Sequence, residues 1–187
     1  MNQEYKVYKN ILYEWILTII ITTSRRPKQH MRTLSRQLTK IIPYSKQINR
    51  GKSGLKQIQE FMSKQNHDKL ILIEGLKNNE IRIVLNKLDK QKLVTIFTLD
   101  LINLELQKRD EEMSSSSLNI DENMKHQDSG PINVLLNFLI DDSYHPLRGS
   151  PVVININCKN DKICIQFKAE KNMEKTYLTL NMKNVVI

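Results

Sequence analysis

The sequence predicts an α/β fold of mixed sheets and packed helices, with an order of elements compatible with two related halves. Two observations predict it. Over the first 92 residues short apolar runs alternate with stretches of helical spacing, in the order strand, helix, strand, helix, strand, strand. Later the order strand, helix, hairpin recurs, although letter matching shows no repeat. A third observation concerns function. The net charge is +9, yet residues 1–69 carry 14 Lys and Arg against 4 Asp and Glu, and the rest carry 15 against 16. All the excess charge therefore lies in the first third of the chain. The totals, 187 residues with 40% hydrophobic and 26% charged, allow a real core without staples.

Residues 1–14 read as an N-terminal extension. Tyr5, Tyr8, Leu12 and Trp15 recur at helical spacing, which predicts a short amphipathic helix packing its rings on the domain or on a partner. Stacking on bases is the other use of such rings. The apolar run from Trp15 to Ile21 is too short to cross a bilayer and lacks a cleavage site after it. The expected location is cytoplasmic, with no membrane partner.

A strand from Ile16 to Ile21 runs into Thr22-Thr23-Ser24-Arg25-Arg26-Pro27. Pro27 suits a first helical turn, and Ser24 or Thr23 can cap it, leaving unpaired N–H groups beside Arg25 and Arg26. Such a place accepts phosphate. In the helix that follows, Met31, Leu34, Leu38 and Ile41 form an apolar stripe, and Lys28, Arg32, Arg36 and Lys40 form a basic one. The two stripes point roughly 160° apart at a period of about 100° per residue. Between Glu14 and Glu60 there is no carboxylate, so the usual Glu–Lys pairing of a solvated face is missing. A basic cluster, Asn49-Arg50-Gly51-Lys52, comes after Ile42-Pro43 and a strand from Tyr44 to Ile48. The partner this charge pattern predicts is a polyphosphate backbone, and the candidate residues for binding such a nucleic acid are Ser24, Arg25, Arg26, Lys28, Arg32, Arg36, Lys40, Arg50 and Lys52.

These motifs carry a resemblance. Thr22 to Pro27, then Ile42-Pro43 through Lys52 with Leu55 opening a second helix, resembles the start of a Brix domain, in its short archaeal form. The likeness covers roughly the first 75 residues. Gly75-Leu76-Lys77-Asn78-Asn79 is similar to the glycine-lysine-glycine-asparagine-proline turn of that family, without its second glycine and its proline. The resemblance implies a ribosome-biogenesis factor that binds ribosomal RNA precursors. It also implies two halves related to the anticodon-binding domain of class IIa aminoacyl-tRNA synthetases. The domain would run over residues 15–187, divided into 15–92 and 93–187.

Leu55, Ile58 and Met62 mark the apolar face of the second helix. Leu70 to Ile73 reads as a buried strand, and Ile81 to Leu88 alternates as a half-exposed one. Arg50-Gly51-Lys52-Ser53 lacks the first glycine of a phosphate-binding loop, since position 46 is Lys46. Gly51 is expected instead to supply a tight turn. Leu93 to Leu106 forms one strand or two. Residues 108–130 are acidic and serine-rich, which predicts a mobile loop. Pro131 opens a helix from Ile132 to Ile140. Asp141, Asp142 and His145 lack further ligands nearby, so no metal is expected there. Val152 to Cys158 and Ile163 to Ala169 form a hairpin through Asn160-Asp161. Its register pairs Cys158 with Ile163 and Asn157 with Cys164, which keeps the two thiols reduced. A last strand buries Leu178, Leu180 and Met182 and turns Thr179, Asn181 and Lys183 outward.

Three functions from different classes fit these residues. The first is an RNA-binding assembly factor. The second is a protein-binding scaffold in pre-ribosome assembly, using the extension or the acidic loop. The third is an enzyme acting on nucleotides or RNA, which lacks paired carboxylates, an activated nucleophile or a complete phosphate loop. The reading that follows is a non-enzyme with no cofactor and no small-molecule substrate. Its expected partners are ribosomal RNA or its precursor, and ribosomal or assembly proteins.

Overall fold

The structure is a computed structural model that describes residues 19–77, 80–106, 115–120, 130–139, 150–159, 162–169 and 172–186. The first part of the chain runs β1 (Ile19–Thr23), α1 (Gln29–Ile41), β2 (Ser45–Gln47), α2 (Leu55–Lys64), β3 (Lys69–Gly75), β4 (Ile81–Asp89) and β5 (Lys92–Leu106). The second runs β6 (Ser115–Ile120), α3 (Gly130–Leu139), β7 (Ser150–Lys159), β8 (Lys162–Ala169) and β9 (Asn172–Val186). The described strands form one mixed sheet in the order β2-β1-β3-β4-β5-β9-β8-β7-β6. The fold is therefore α/β, as the alternation of apolar runs predicts. Outward from the central antiparallel pair β5 and β9, the neighbours are β4, β3, β1 on one side and β8, β7, β6 on the other. On each side the pairings are antiparallel, antiparallel and parallel in turn.

Helix α1 forms where the sequence places it, and its apolar stripe decides its packing. Met31, Leu34, Leu38 and Ile41 are buried, while Lys28, Arg32, Arg36 and Lys40 are exposed. They join Ile19, Ile21, Ile71 and Ile73 in a large core that continues through β4, β5, α3, β7, β8 and β9. Helix α1 touches β1, β2 and β3 and also β6 at the opposite end of the sheet. The sheet is thus rolled around one layer of helix. Helix α2 lies on the other face, where Ile58 and Met62 pack with Ile20 and Leu70.

Several expectations are corrected. Strand β1 continues through Thr22 and Thr23, both buried, and the Ser24 N–H donates to the Ile73 carbonyl at 2.8 Å. That bond holds Ser24 at the sheet, so neither Ser24 nor Thr23 caps α1. The N-cap is Lys28, with extended backbone and no side-chain cap, and Pro27 precedes the helix. Leu55 is 38% exposed, outside the apolar face of α2 that begins with Ile58. In β4, Val84 and Asn86 are buried as well as Ile81, Ile83 and Leu85. Asn86 is satisfied there: its amide donates to the Val84 carbonyl, and the Thr95 hydroxyl donates to it at 2.9 Å. Of the one strand or two expected over Leu93 to Leu106, the structure forms one, β5, in a hairpin with β4. Within the expected loop of 108–130, Ser115–Ile120 is strand β6, paired parallel with β7. Backbone pairing to a sheet edge needs no apolar side chains, so composition gives it no signal. Thr179 is buried on β9, not turned outward.

Other expectations hold. Helix α3 carries Pro131 in its first turn. The β7–β8 register pairs Cys158 with Ile163 and Asn157 with Cys164. Leu178, Leu180 and Met182 are buried. The N-terminal helix of 1–14, Asn78-Asn79, Asp141, Asp142 and His145, and the Asn160-Asp161 turn lie outside the described residues. Among the described residues no helix is long and apolar enough to cross a membrane.

Candidate nucleic-acid interface

The site sits where parallel strands end and the chain leaves in two directions. Strands β1 and β2 run parallel, with Ile21 beside Gln47. The segment after β1 leads to α1 on one face of the sheet, and the segment after β2 leads to α2 on the other. Connections that part in this way open a crevice at the carboxyl ends of the strands, the usual ligand position of such sheets. Here it is an open cavity of about 240 Å³ lined by Thr23, Ser24, Arg25, Pro27, Arg32, Arg36, Gln47, Asn49, Arg50 and Gly51.

Backbone and hydroxyl bonds hold both walls. The Thr22 hydroxyl donates to the Ile48 carbonyl at 2.7 Å, and the Ile48 N–H donates to Ile21 at 2.9 Å. The chain then turns at Gly51, whose φ of +57° is the left-handed conformation that glycine adopts without strain. The turn is braced twice: Ser53 N–H donates to the Arg50 carbonyl at 2.9 Å, and Arg50 Nε donates back to the Ser53 carbonyl at 2.8 Å. At the start of α2 the Gly54 N–H donates to Gln57 Oε1 at 2.9 Å. Arg25 Nη2 lies against Gly54, 3.6 Å from where a Cβ would stand.

The charges in the cleft oppose one another. Arg50 is held below the usual arginine range, first by burial and then by the positive charge of Arg25, with Glu74 on β3 acting against both. Glu74 is brought near by strand pairing and was invisible to a count of residues 14–60. Its cross-strand partner Arg82 makes a bidentate pair with Asp100, at 2.6 and 2.9 Å. That pair, and Glu74 with it, raises Arg82 above the ordinary value. Among the described residues Arg25, Arg32 and Arg36 have no carboxylate within ion-pair distance. Four guanidinium groups thus face one cavity with their charge largely uncompensated. Such a cluster fits an anion with several oxygens.

Of the nine residues singled out by sequence, Ser24, Arg25, Arg32, Arg36 and Arg50 line the cleft. Arg26, Lys28, Lys40 and Lys52 do not line it, although each is exposed. Sequence reasoning missed Gln47 as a lining residue. It is the last residue of a short edge strand, where no periodicity marks the direction of a side chain. Among the described residues no group of three His, Cys, Asp or Glu is arranged to hold a metal ion.

With the geometry in view, comparisons with known proteins bear out the resemblance read from the motifs. A curated protein of Methanococcus maripaludis named a probable Brix domain-containing ribosomal biogenesis protein is 35% identical over 78 residues, 42% of this chain and 44% of that protein. A protein of the same name from Thermococcus kodakarensis is 28% identical over 90 residues, 48% of this chain and 43% of that one. The matched stretch therefore spans less than half the length of these relatives. Among solved structures, a probable ribosomal biogenesis protein from Aeropyrum pernix K1 superposes with a TM-score of 0.66 at 14% identity, covering 89% of this chain and 96% of the other. Mil, an archaeal Imp4-like protein, gives 0.62 at 16% identity, covering 90% and 99%. These two show the shared fold. No family model matches the chain.

Proposed function

We propose, from the homology of this chain to archaeal Brix domain-containing proteins, that it is a ribosome-biogenesis factor that binds ribosomal RNA precursors. It assists their processing, folding or assembly into subunits, and it does so by binding, without catalysis of its own. The observation that carries this reading is the cleft of Arg25, Arg32, Arg36 and Arg50 between the ends of β1 and β2. A phosphodiester backbone supplies closely spaced anions that such a cleft can neutralise, and the counterions released on binding make the affinity depend steeply on salt. Ser24 supplies a hydroxyl at the same wall. Arg26, Lys28, Lys40 and Lys52 surround the cleft and steer RNA toward it. Ribosomal or assembly proteins are further partners, and the cytoplasm is the place of action.

We read the architecture as two similar halves meeting along β5 and β9, akin to the anticodon-binding domain of class IIa aminoacyl-tRNA synthetases. The repeated order of strand pairings supports the two halves. The reading is tested by the affinity for a structured ribosomal RNA fragment across a salt series. Binding that weakens steeply with salt is expected. Absence of binding at physiological salt would refute the RNA reading and favour the scaffold.

A further inference from the structure

The arginines account for only part of the cleft. Gln47 and Asn49 also line it, from the end of β2 and the turn that follows. Among the described residues neither side-chain amide is tied into a hydrogen bond of the fold. Both share the cleft with Arg25, Arg32 and Arg36, which among the described residues have no carboxylate within ion-pair distance. A phosphate uses only one arm of an amide. The amide carries one donor arm and one acceptor arm, whereas a phosphodiester only accepts, so the carbonyl arm is left unused there. The edge of a nucleobase offers donors and acceptors side by side, and Asn or Gln pairs with it through both arms. The cleft therefore combines two chemistries, cationic forks for a phosphate and neutral two-armed amides for a base edge.

Its size and position narrow the ligand. The cavity of about 240 Å³ is open to solvent and lies below the usual range of enclosed small-molecule sites, so it suits a small part of a larger ligand and does not take in a helix. In an A-form duplex the base edges sit in a deep, narrow major groove that side chains do not reach, so base recognition in RNA falls on unpaired nucleotides. We infer that the cleft receives one unpaired nucleotide of an RNA, its phosphate on Arg25, Arg32, Arg36 and Arg50 and its base edge on Gln47 and Asn49. This rests on the proposed RNA-binding role and adds what part of an RNA the site selects. The arginines set the affinity. The two amides set the preference for an unpaired base.

The test compares two RNAs of equal length and charge, a hairpin with an unpaired loop of all four bases and a blunt duplex, on the wild-type chain, Asn49→Ala and Gln47→Ala. Asn49 is exposed, so its replacement leaves the fold intact and keeps the test valid even where Gln47→Ala disturbs the edge strand. The expected result is a preference of about tenfold or more for the loop, the discrimination typical of one two-armed base contact. Each amide variant should reduce that preference several-fold while the salt slope stays as in wild type. Equal affinity for loop and duplex would overturn the inference and leave the RNA-binding reading standing. An undiminished preference in both variants would overturn it too, by moving the selection elsewhere. If neither RNA binds, both readings fall.

Discussion

Replacing Arg32 and Arg36 together by Ala separates the cleft from the basic face as a whole. Both side chains are exposed on α1, line the cavity and have no ion pair among the described residues. Ala is a strong helix former, so the double variant should fold at least as well as wild type. If each arginine neutralises one phosphate, the plot of log affinity against log salt should become shallower by about 1.4, at about 0.7 per contact with single-stranded RNA. Between 50 and 200 mM salt the ratio of wild-type to variant affinity should then shrink about sevenfold. The control is Lys28→Ala with Lys40→Ala, two charges of the same stripe that do not line the cavity. Acting only at a distance, through a screened field, they should change the slope by less than half as much. Filter binding or fluorescence anisotropy on one structured RNA fragment reads all three proteins. Equal slopes for wild type and the Arg32/Arg36 variant would refute the placement of the phosphate site. An equal loss in the lysine control would replace the cleft with a diffuse basic surface.

Three predictions concern stability. Arg25→Ala removes the charge that opposes Arg50, so thermal unfolding should occur at the same temperature or slightly higher while RNA affinity falls. A clear drop in melting temperature would mean that Arg25 holds the loop. Gly51→Ala places a side chain at φ +57° with no atom within 4 Å to obstruct it, so only backbone strain acts. The expected loss is about 1 kcal/mol by urea denaturation. Leu34→Ala empties a position that is 0% exposed in the core under α1 and should cost about 3 kcal/mol. An unchanged urea midpoint would contradict the packing of α1 on the sheet.

What was legible in the sequence was what repeats at a fixed period. Met31, Leu34, Leu38 and Ile41 declare the buried face of α1 because the sheet beneath selects one side of a 3.6-residue turn. The β7–β8 register was legible for the same reason at a period of two: a one-residue slip would turn every apolar side chain to the wrong face. Loops carry no such period. The TTSRRP motif read as a helix cap because its residue types favour one, but Ser24 is held by β3, whose place beside β1 no local pattern reveals. Lys28 and Lys40 share a stripe with Arg32 and Arg36, yet only the middle of that stripe lines the cleft. Glu74 enters the electrostatics of Arg50 from a strand distant in sequence. Strand β6 was hidden because its partner β7 follows α3, and a parallel edge pairing leaves no mark in composition.

The division of labour among the cations follows from their chemistry. All four cations lining the cleft are arginines, whereas Lys28, Lys40 and Lys52 lie outside it. Arg25, Arg32 and Arg36 are exposed, but Arg50 is partly buried and is pressed by burial and by Arg25 toward losing its proton. An arginine starts from so high a pKa that it stays protonated at neutral pH under that pressure, and a lysine starts about two units or more lower. The guanidinium is also less strongly hydrated and presents a rigid fork that fits phosphate through two bonds. Helix α1, held between β1–β3 and β6, fixes the backbone from which Arg32 and Arg36 project, while the braced turn at Arg50 fixes the facing wall. Repulsion between Arg25 and Arg50 is then built into the cleft, and the proposed anion would relieve it. At this site, therefore, Arg50→Lys is not a conservative change: it keeps the formal charge but loses both the Nε bond to the Ser53 carbonyl and the planar fork of the guanidinium.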